Sequence, residues 1–314
     1  MLYLVWGSTY LGIRVAIDTI PPFVMAGIRF LIAGSVLFGW SILREGRSFT
    51  WPTPREWRDT FVVGGLLLLG GMGLVSWGEQ TVPSGITALM IAMMPVWVAV
   101  LGWLFLHERL PRAAIVGIVV GIVGIAVLVG PTGGSDQINP VGALALIISP
   151  LSWATGSLYA ANRAKLPSRP LLATGGQMLA GGVLLGVAGL VTGEWQTFSP
   201  AAVSFDSLIA LAYLTIIGSL LAFTTYGWLL RVAPLPFIAT YAYVNPVVAV
   251  ILGTVVLDEP LTPRTLVAGA VIVFAVALII TARGRMRAPS RPATSDVPSS
   301  QRPRSTIEPA RTAS

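Results

Sequence analysis

The fold of this chain is decided by one stretch of sequence that occurs twice. The first copy is WGEQTVPSGITALMIAMMPVWVAVLGWLFLHERL at residues 77–110, and the second is WLLRVAPLPFIATYAYVNPVVAVILGTVVLDEPL at residues 228–261. The copies align without gaps, and apolar bias alone would not align their prolines and glutamates. Because internal repeats determine architecture, we expect two related halves. The matched positions are Trp77 and Trp228, Pro83 and Pro234, Ala88 and Ala239, Pro95 and Pro246, Val96 and Val247, Leu101 and Leu252, Gly102 and Gly253, Leu106 and Leu257, Glu108 and Glu259, and Leu110 and Leu261.

The composition of the chain is that of a membrane protein. Of its 314 residues, 54% are hydrophobic and 11% are charged, whereas soluble domains have about 25% charged residues. The mean hydropathy is +0.80. The sequence contains no cysteine, which excludes a disulfide scaffold, a thiolate metal site and a cysteine nucleophile. The net charge of +7 does not indicate nucleic-acid binding, because the basic residues lie in short gaps between apolar runs and near the C-terminus.

Ten apolar runs are predicted to cross the bilayer as helices, since a bilayer core takes about 20 residues. Their pattern lacks the dyad alternation of a membrane β-barrel, so we expect an all-α polytopic membrane protein. The first run follows Met1 without a charged flank. We therefore expect the natural start to lie upstream, the alternative being a short helix that thins the bilayer. The predicted spans are 2–17, 21–43, 59–79, 84–106, 112–130, 140–160, 170–192, 207–230, 236–257 and 265–282.

The spans divide into two halves of five. An odd number of spans makes the second half enter the membrane from the opposite side, which gives the inverted repeat of many transporters. The predicted halves are residues 1–130 and 140–282, followed by a basic, disordered tail at 283–314. Most of the 20 Lys and Arg residues lie in alternate gaps or in the tail. The positive-inside rule therefore predicts that both termini are cytoplasmic.

Two symmetry-related prolines indicate where a central site would lie. Pro95 and Pro246 fall in the middle of the fourth and ninth spans, where each frees a backbone carbonyl and favours a kink. Inverted-repeat transporters place the substrate near the bilayer midplane, where helices are interrupted. We expect the site at these kinks. The alternative is that they are packing kinks without ligand contact.

Several motifs in both halves resemble a known family. They are WGSTYLGIR from Trp6, GIRFLIAG from Gly27, VPSGITALM from Val82, SWATGSLY from Ser152 and YAYVNPVVAVILG from Tyr241. Together they resemble the EamA family of the drug/metabolite transporter superfamily, most closely the inner-membrane exporters of the YedA type. The resemblance implies an inner-membrane carrier with two EamA repeats, at 1–130 and 140–282, that moves small metabolites or drugs by alternating access.

Two charged residues within or beside the spans are candidates for function. Arg29 lies about nine residues into the second span, roughly 12 Å deep at 1.5 Å per residue, and an intramembrane charge is a functional candidate by default. It either attracts an anionic group of a substrate or bonds neighbouring carbonyls. Glu79 ends the third span and is a candidate gate or proton group. The repeated Glu108 and Glu259 are expected to be solvated loop charges unless they form alternating gate contacts.

The remaining candidates are aromatic, amide and methionine side chains that suit a small molecule with an apolar body. Tyr241, Tyr243 and Asn245 are spaced by two residues, so all three cannot face one cavity of a helix. For the methionines, core packing is the alternative. Gln177 stands where the first half has Arg29. The full set of substrate-binding candidates is Arg29, Asn245, Tyr241, Tyr243, Met90, Met94, Trp6, Tyr10, Trp153 and Gln177.

Together these features predict a secondary transporter, with export the expected direction and amino acids among the candidate substrates. Its partners are a small-molecule substrate and the membrane lipids of the cytoplasmic membrane. The sequence has no GxxxxGK[ST] loop for ATP and no HExxH motif, so we expect no cofactor, no metal and no nucleic acid. The alternatives are a channel or a non-transporting receptor and, less favoured, a membrane-embedded enzyme.

Overall fold

The computed structural model describes residues 2–130, 138–232 and 241–287, and all regular structure in these ranges is helical. Proline opens several helices because the first helical turn does not need its missing N–H. The helices are α1 (Leu2–Ala16), α2 (Pro22–Glu45), α3 (Pro54–Gly64), α4 (Leu74–Gly78), α5 (Ser84–Ile91), α6 (Met94–Leu106), α7 (Arg112–Val129), α8 (Pro140–Asn162), α9 (Pro170–Val191), α10 (Glu194–Thr197), α11 (Phe205–Tyr213), α12 (Ala222–Val232), α13 (Tyr241–Leu257) and α14 (Pro263–Arg287), with short 3₁₀ turns at Gly46–Ser48 and Pro200–Ala202.

Eight segments of the described chain are long and apolar enough to cross a membrane. They coincide with eight of the ten predicted spans. The first predicted span is the 15-residue α1, and the ninth is the 17-residue α13, both shorter than the others. Residues 236–240 of the predicted ninth span lie outside the described residues. The eight segments are Pro22–Ser48, Pro54–Gly78, Ser84–Leu106, Arg112–Val129, Pro140–Asn162, Pro170–Val191, Phe205–Tyr226 and Pro263–Gly284.

The C-terminal helix is longer than predicted. We expected an unstructured tail from residue 283, but α14 continues to Arg287. The added residues are Arg, Gly and Met, and Arg and Met are good helix formers that can extend an existing helix at little cost. The rest of the predicted tail, 288–314, lies outside the described residues.

The two central prolines differ in their effect on the helix. The fourth span is broken between α5, which ends at Ile91, and α6, which begins at Met94. Pro95 is the second residue of α6 and has no N–H to donate to Ile91, so the helix cannot run through it unchanged. Pro246 lies inside the continuous α13.

The third and eighth predicted spans contain matching π-helical segments. Gly65–Gly73 joins α3 to α4, and Leu214–Leu221 joins α11 to α12. A π-helix is rare, occurs mostly as a short bulge inside an α-helix, and is frequent at functional sites. Its occurrence at equivalent places in the two halves marks both spans as locally irregular near the middle of the molecule.

Helices α2 and α9 pack together through glycines. A Cβ atom at Gly34 of α2 would lie 2.8 Å from the Leu179 nitrogen, and one at Gly175 of α9 would lie 2.7 Å from the Phe38 nitrogen. Backbone atoms cannot yield to such contacts, so only glycine permits this approach. Close packing through small residues is the usual way in which helices associate in membranes.

Large apolar side chains cover the outer surface of the helices. Trp103, Phe105 and Val191 are 54%, 66% and 83% exposed. A soluble protein rarely exposes so much contiguous apolar surface. This surface fits contact with lipid, while the buried polar groups face the interior.

Candidate functional site

A central cavity is lined by residues from both halves. Apolar and aromatic side chains dominate its wall, with a few polar groups, as in small-molecule sites. The lining residues are Trp6, Tyr10, Arg29, Gly71, Met72, Val75, Ala88, Ile91, Ala92, Met94, Ser149, Pro150, Trp153, Phe223, Tyr241, Asn245 and Pro246.

Arg29 is the charged residue among those that line the cavity. It is 2% exposed, and its Nε donates to Ser219 Oγ at 2.7 Å. Its guanidinium carbon lies 4.9 Å from the centroid of the Phe30 ring. Among the described residues, no carboxylate lies within 4.0 Å of the Arg29 guanidinium. Since a guanidinium has five N–H donors, a buried arginine without a counter-ion beside a cavity is well suited to an anionic group.

An aromatic cluster forms one side of the cavity around Trp6. The Trp6 ring centroid lies 5.9 Å from Phe223, 5.0 Å from Tyr226 and 5.0 Å from Tyr241. Trp153 adds a ring 6.0 Å from Phe223. Edge-to-face and tilted arrangements at these distances are favourable. The cluster offers both ring faces and ring edges to an apolar ligand.

Asn245 connects α13 to the beginning of the chain. In the amide orientation that satisfies its neighbours, its nitrogen donates to the carbonyls of Tyr3 at 2.9 Å and Tyr241 at 3.1 Å. Tyr241 and Asn245 are one helical turn apart, so both line the cavity. The amide therefore combines a structural bond between two helices with a place in the cavity wall.

The other predicted binding residues lie away from the cavity. Tyr243 and the buried Met90 pack in an apolar cluster between α5, α7, α8 and α14. Tyr243 is two residues from Tyr241, which turns it to the far side of α13. Gln177 lies on α9, where Gly64 of α3 packs closely against its backbone carbonyl. Pro95 is buried at the helix break but does not line the cavity, whereas its neighbour Met94 does.

Several residues of the site were not predicted from the sequence. Ser149 and Pro150 of α8, Met72 of the first π-segment and Phe223 of α12 line the cavity. Ser219 was missed although it is a hydroxyl inside an apolar run. The requirement of the buried Arg29 for a hydrogen-bond acceptor was the signal that could have identified it.

The repeated glutamates occupy matching turns at the ends of α6 and α13. The residues before them, His107 and Asp258, have φ of 54° and 53°. The N–H groups of Glu108 and Glu259 donate to Gly102 and Gly253 at 3.1 Å in both cases.

The two carboxylates have different partners. Glu259 accepts from the backbone N–H groups of Ser84 at 2.7 Å and Gly85 at 3.1 Å, so it caps α5 of the other half. Glu108 forms an ion pair with Arg283. The sequence predicts solvated loop charges unless the two glutamates form gate contacts. In the structure, both carboxylates contact other parts of the protein.

The sequence of this chain is similar to those of known transporters. The model of the EamA-like transporter family matches residues 1–130 and 140–281. Inner membrane transporter YedA of Escherichia coli (strain K12) is 39% identical over 297 residues, which cover 94% of this chain and 93% of YedA. Transporter YvbV of Bacillus subtilis (strain 168) is 27% identical over 286 residues, 89% of each chain.

The fold is also similar to one that has been solved. A protein of known crystal structure is 21% identical and aligns with a TM-score of 0.63 over 91% of this chain and 96% of its own. The family match covers most of the sequence, and the described chain contains several apolar helices able to span a bilayer. The chain therefore belongs to the EamA-like transporter family and is a membrane transporter.

Proposed function

We propose that this protein is a secondary transporter that exports small organic molecules with an apolar or aromatic body and an anionic group, amino acids among the candidates. The observation that carries the proposal is the buried Arg29, without a carboxylate partner among the described residues, in the wall of an aromatic cavity. The anionic group would bind Arg29, and the apolar body would lie against Trp6, Trp153 and Tyr241. Tyr10, Met94 and Asn245 complete the proposed contact surface.

We further propose that the fold consists of ten spans in two inverted halves of five, residues 1–130 and 140–282, with α1 and α13 as the two short spans. Three pairs of matching features support this. They are the π-segments Gly65–Gly73 and Leu214–Leu221, the contacts of Gly34 with Gly175 and of Gly27 with Gly182, and the turns at His107 and Asp258. Alternating access would then be a movement of one half against the other around the cavity.

The proposed location is the cytoplasmic membrane, with both termini in the cytoplasm. The relative YedA is named an inner membrane transporter. Basic residues in the loop after α2 and at the end of α14 support this orientation. Export is the proposed direction, and the partners are the transported solute and the surrounding lipid.

The first test is thermal stabilisation of the purified protein by a panel of amino acids, organic acids, nucleosides and cationic drugs. Wild type is compared with Arg29→Gln and with Arg47→Gln, an exposed arginine of the 3₁₀ turn after α2 and outside the cavity wall. A hydrogen bond to a charged group contributes about 1.5–3 kcal/mol, so we expect carboxylates to bind Arg29→Gln about 10- to 150-fold more weakly. Equal stabilisation of all three proteins by carboxylates would contradict the anion site.

Counterflow in proteoliposomes separates a carrier from the alternatives. A carrier exchanges labelled for unlabelled solute and saturates. A channel would conduct without saturable exchange, and a receptor would bind a stabilising ligand without moving it. Chemical conversion of the bound ligand would indicate an enzyme instead.

A further inference from the structure

Glu79 is a buried carboxylate at one end of the third span. It directly follows Gly78, the last residue of α4, and its N–H donates to the Val75 carbonyl at 3.0 Å. Its exposed fraction is 0%, and neither carboxylate oxygen has a hydrogen-bond partner among the described residues. A buried ionised carboxylate needs donors or a counter-ion. The neutral acid avoids that requirement.

The nearest cation does not supply this partner. Arg14 of α1 donates to the main-chain carbonyl of Glu79 at 2.5 Å and to that of Gln80 at 3.4 Å. Within the described ranges, no arginine or lysine lies within 4.0 Å of the Glu79 carboxylate. Arg14 is therefore close enough to attract the Glu79 carboxylate, but its hydrogen bonds go to main-chain carbonyls.

The other charged and titratable groups around Glu79 are Tyr10 and Glu259. The turn after Gly78 is closed by the Val82 N–H, which donates to the Gly78 carbonyl at 3.0 Å, and it brings Glu79 towards Ser84, whose N–H binds the Glu259 carboxylate. Tyr10 of α1 lines the same cavity as Val75, one turn before Glu79. Helix α8 packs against this end of α4 with Gly142 and Leu146, which do not titrate. An ionised Glu79 thus faces one positive charge and one negative charge.

Glu259 also makes a contact between the two halves here. Its carboxylate caps α5 through the N–H groups of Ser84 and Gly85. A second negative charge at Glu79 repels Glu259 and weakens this contact, whereas a neutral Glu79 does not. Val75, one turn before Glu79, and Tyr10 both line the cavity. Glu79 therefore adjoins both the cavity wall, through Val75, and the contact that Glu259 makes with α5.

We propose that Glu79 is a proton-binding site whose occupancy controls the Glu259 contact, and that this contact closes one end of the cavity. The neutral acid is held while Glu259 caps α5, and the acid gives up its proton to form the carboxylate when that contact opens. In a transport cycle this exchanges a proton for substrate. This inference rests on the proposed transport function and adds its coupling ion.

Infrared spectroscopy tests the proton site directly. Wild type, Glu79→Gln and Asp18→Asn are placed in lipid nanodiscs and titrated from about pH 5 to about pH 10, which brackets an ordinary and a buried glutamate. Asp18 is an exposed carboxyl near the end of α1 and serves as the control. We expect a band of a buried, protonated carboxyl in wild type and Asp18→Asn that is absent from Glu79→Gln. The same band in Glu79→Gln would overturn the proposal.

Cysteine labelling tests control of the contact. The sequence has no cysteine, so a single cysteine introduced at Met72 in the cavity wall can be labelled alone. The labelling rate of Met72→Cys is divided by the labelling rate of the exposed Ser199→Cys. This ratio removes the intrinsic pH dependence of the thiol. We expect this ratio of labelling rates to rise by up to about tenfold per pH unit, as for control by one proton. In proteins that also carry Glu79→Gln, the ratio should not change with pH. A ratio that rises equally in both proteins would overturn the proposal. Both measurements use protein without ligand. A negative result would overturn the proton site even if counterflow shows transport, and a failure of counterflow would overturn the transport function even if the proton site is observed.

Discussion

Arg29 is the residue on which the proposed recognition of an anionic group depends most. Its position deep in an apolar run identifies it as a candidate, because a charged side chain in hydrocarbon has a high free-energy cost and is usually functional. Its only hydrogen-bond acceptor within the described chain is Ser219, which comes from the other half of the sequence. The bond holds the guanidinium beside the cavity and leaves other N–H groups for a ligand.

Removal of this acceptor is expected to destabilise the protein and to loosen the site. Ser219→Ala leaves the Arg29 Nε without its partner, which costs about 1–3 kcal/mol in the free energy of unfolding. Unfolding in lipid–detergent micelles measures this. Ser157→Ala is the control, because Ser157 Oγ bonds the Trp153 carbonyl of its own helix, and its effect should stay within about 0.5 kcal/mol. Equal effects of both substitutions would show that the Arg29 bond does not matter for stability.

At the scale of elements, the interface of α2 and α9 sets the position of Arg29. The helices approach through Gly34 and Gly175, and the same pair of helices carries Arg29 and Gln177 at equivalent positions. Hydrocarbon provides no hydrophobic drive between helices, so their association depends on such close packing. A larger residue in this interface would move α2 away and shift Arg29 in the cavity wall.

Two glycines of α2 provide a matched pair for testing this. A Cβ at Gly34 would meet backbone atoms of Leu179 and Gly175, at 2.8 and 3.0 Å, while a Cβ at Gly39 would meet nothing within 4 Å. We expect Gly34→Ala to lower the free energy of unfolding by about 1–3 kcal/mol. Gly39→Ala should be neutral or raise it by up to about 1 kcal/mol, because alanine favours helix. Equal free energies of unfolding for the two variants would contradict the close packing at Gly34.

For the whole molecule, the proposed orientation makes a separate prediction. Ser48 follows α2, in a loop predicted to be cytoplasmic, and Ser199 lies between α10 and α11, in a loop predicted to face outward; both are exposed. In intact cells, a maleimide that does not cross the membrane should label Ser199→Cys. It should label Ser48→Cys only after permeabilisation. The opposite pattern would reverse the orientation and place both termini outside.

Prediction from the sequence was most successful where periodicity along one helix was sufficient. The i, i+4 pair Tyr241 and Asn245 shares a face of α13, and the structure places both at the cavity, while Tyr243 lies on the opposite side. It was least successful where a span is interrupted. Met90 and Met94 are also one turn apart, but the break at Ala92 and Met93 separates their directions, so only Met94 lines the cavity.

The sequence by itself determined the membrane class, most spans and the family, and it singled out Arg29 as a candidate for binding. These follow from local rules: apolar runs of bilayer length must be helical, and a charge within them needs a partner or a function. Only the tertiary structure decided that Ser219 holds Arg29, that Glu259 caps α5 and that Glu79 is buried without a hydrogen-bond partner among the described residues. The contacts of Ser219 with Arg29 and of Glu259 with Ser84 join residues more than a hundred positions apart. Which of them meet depends on how the helices pack, and no local pattern encodes that.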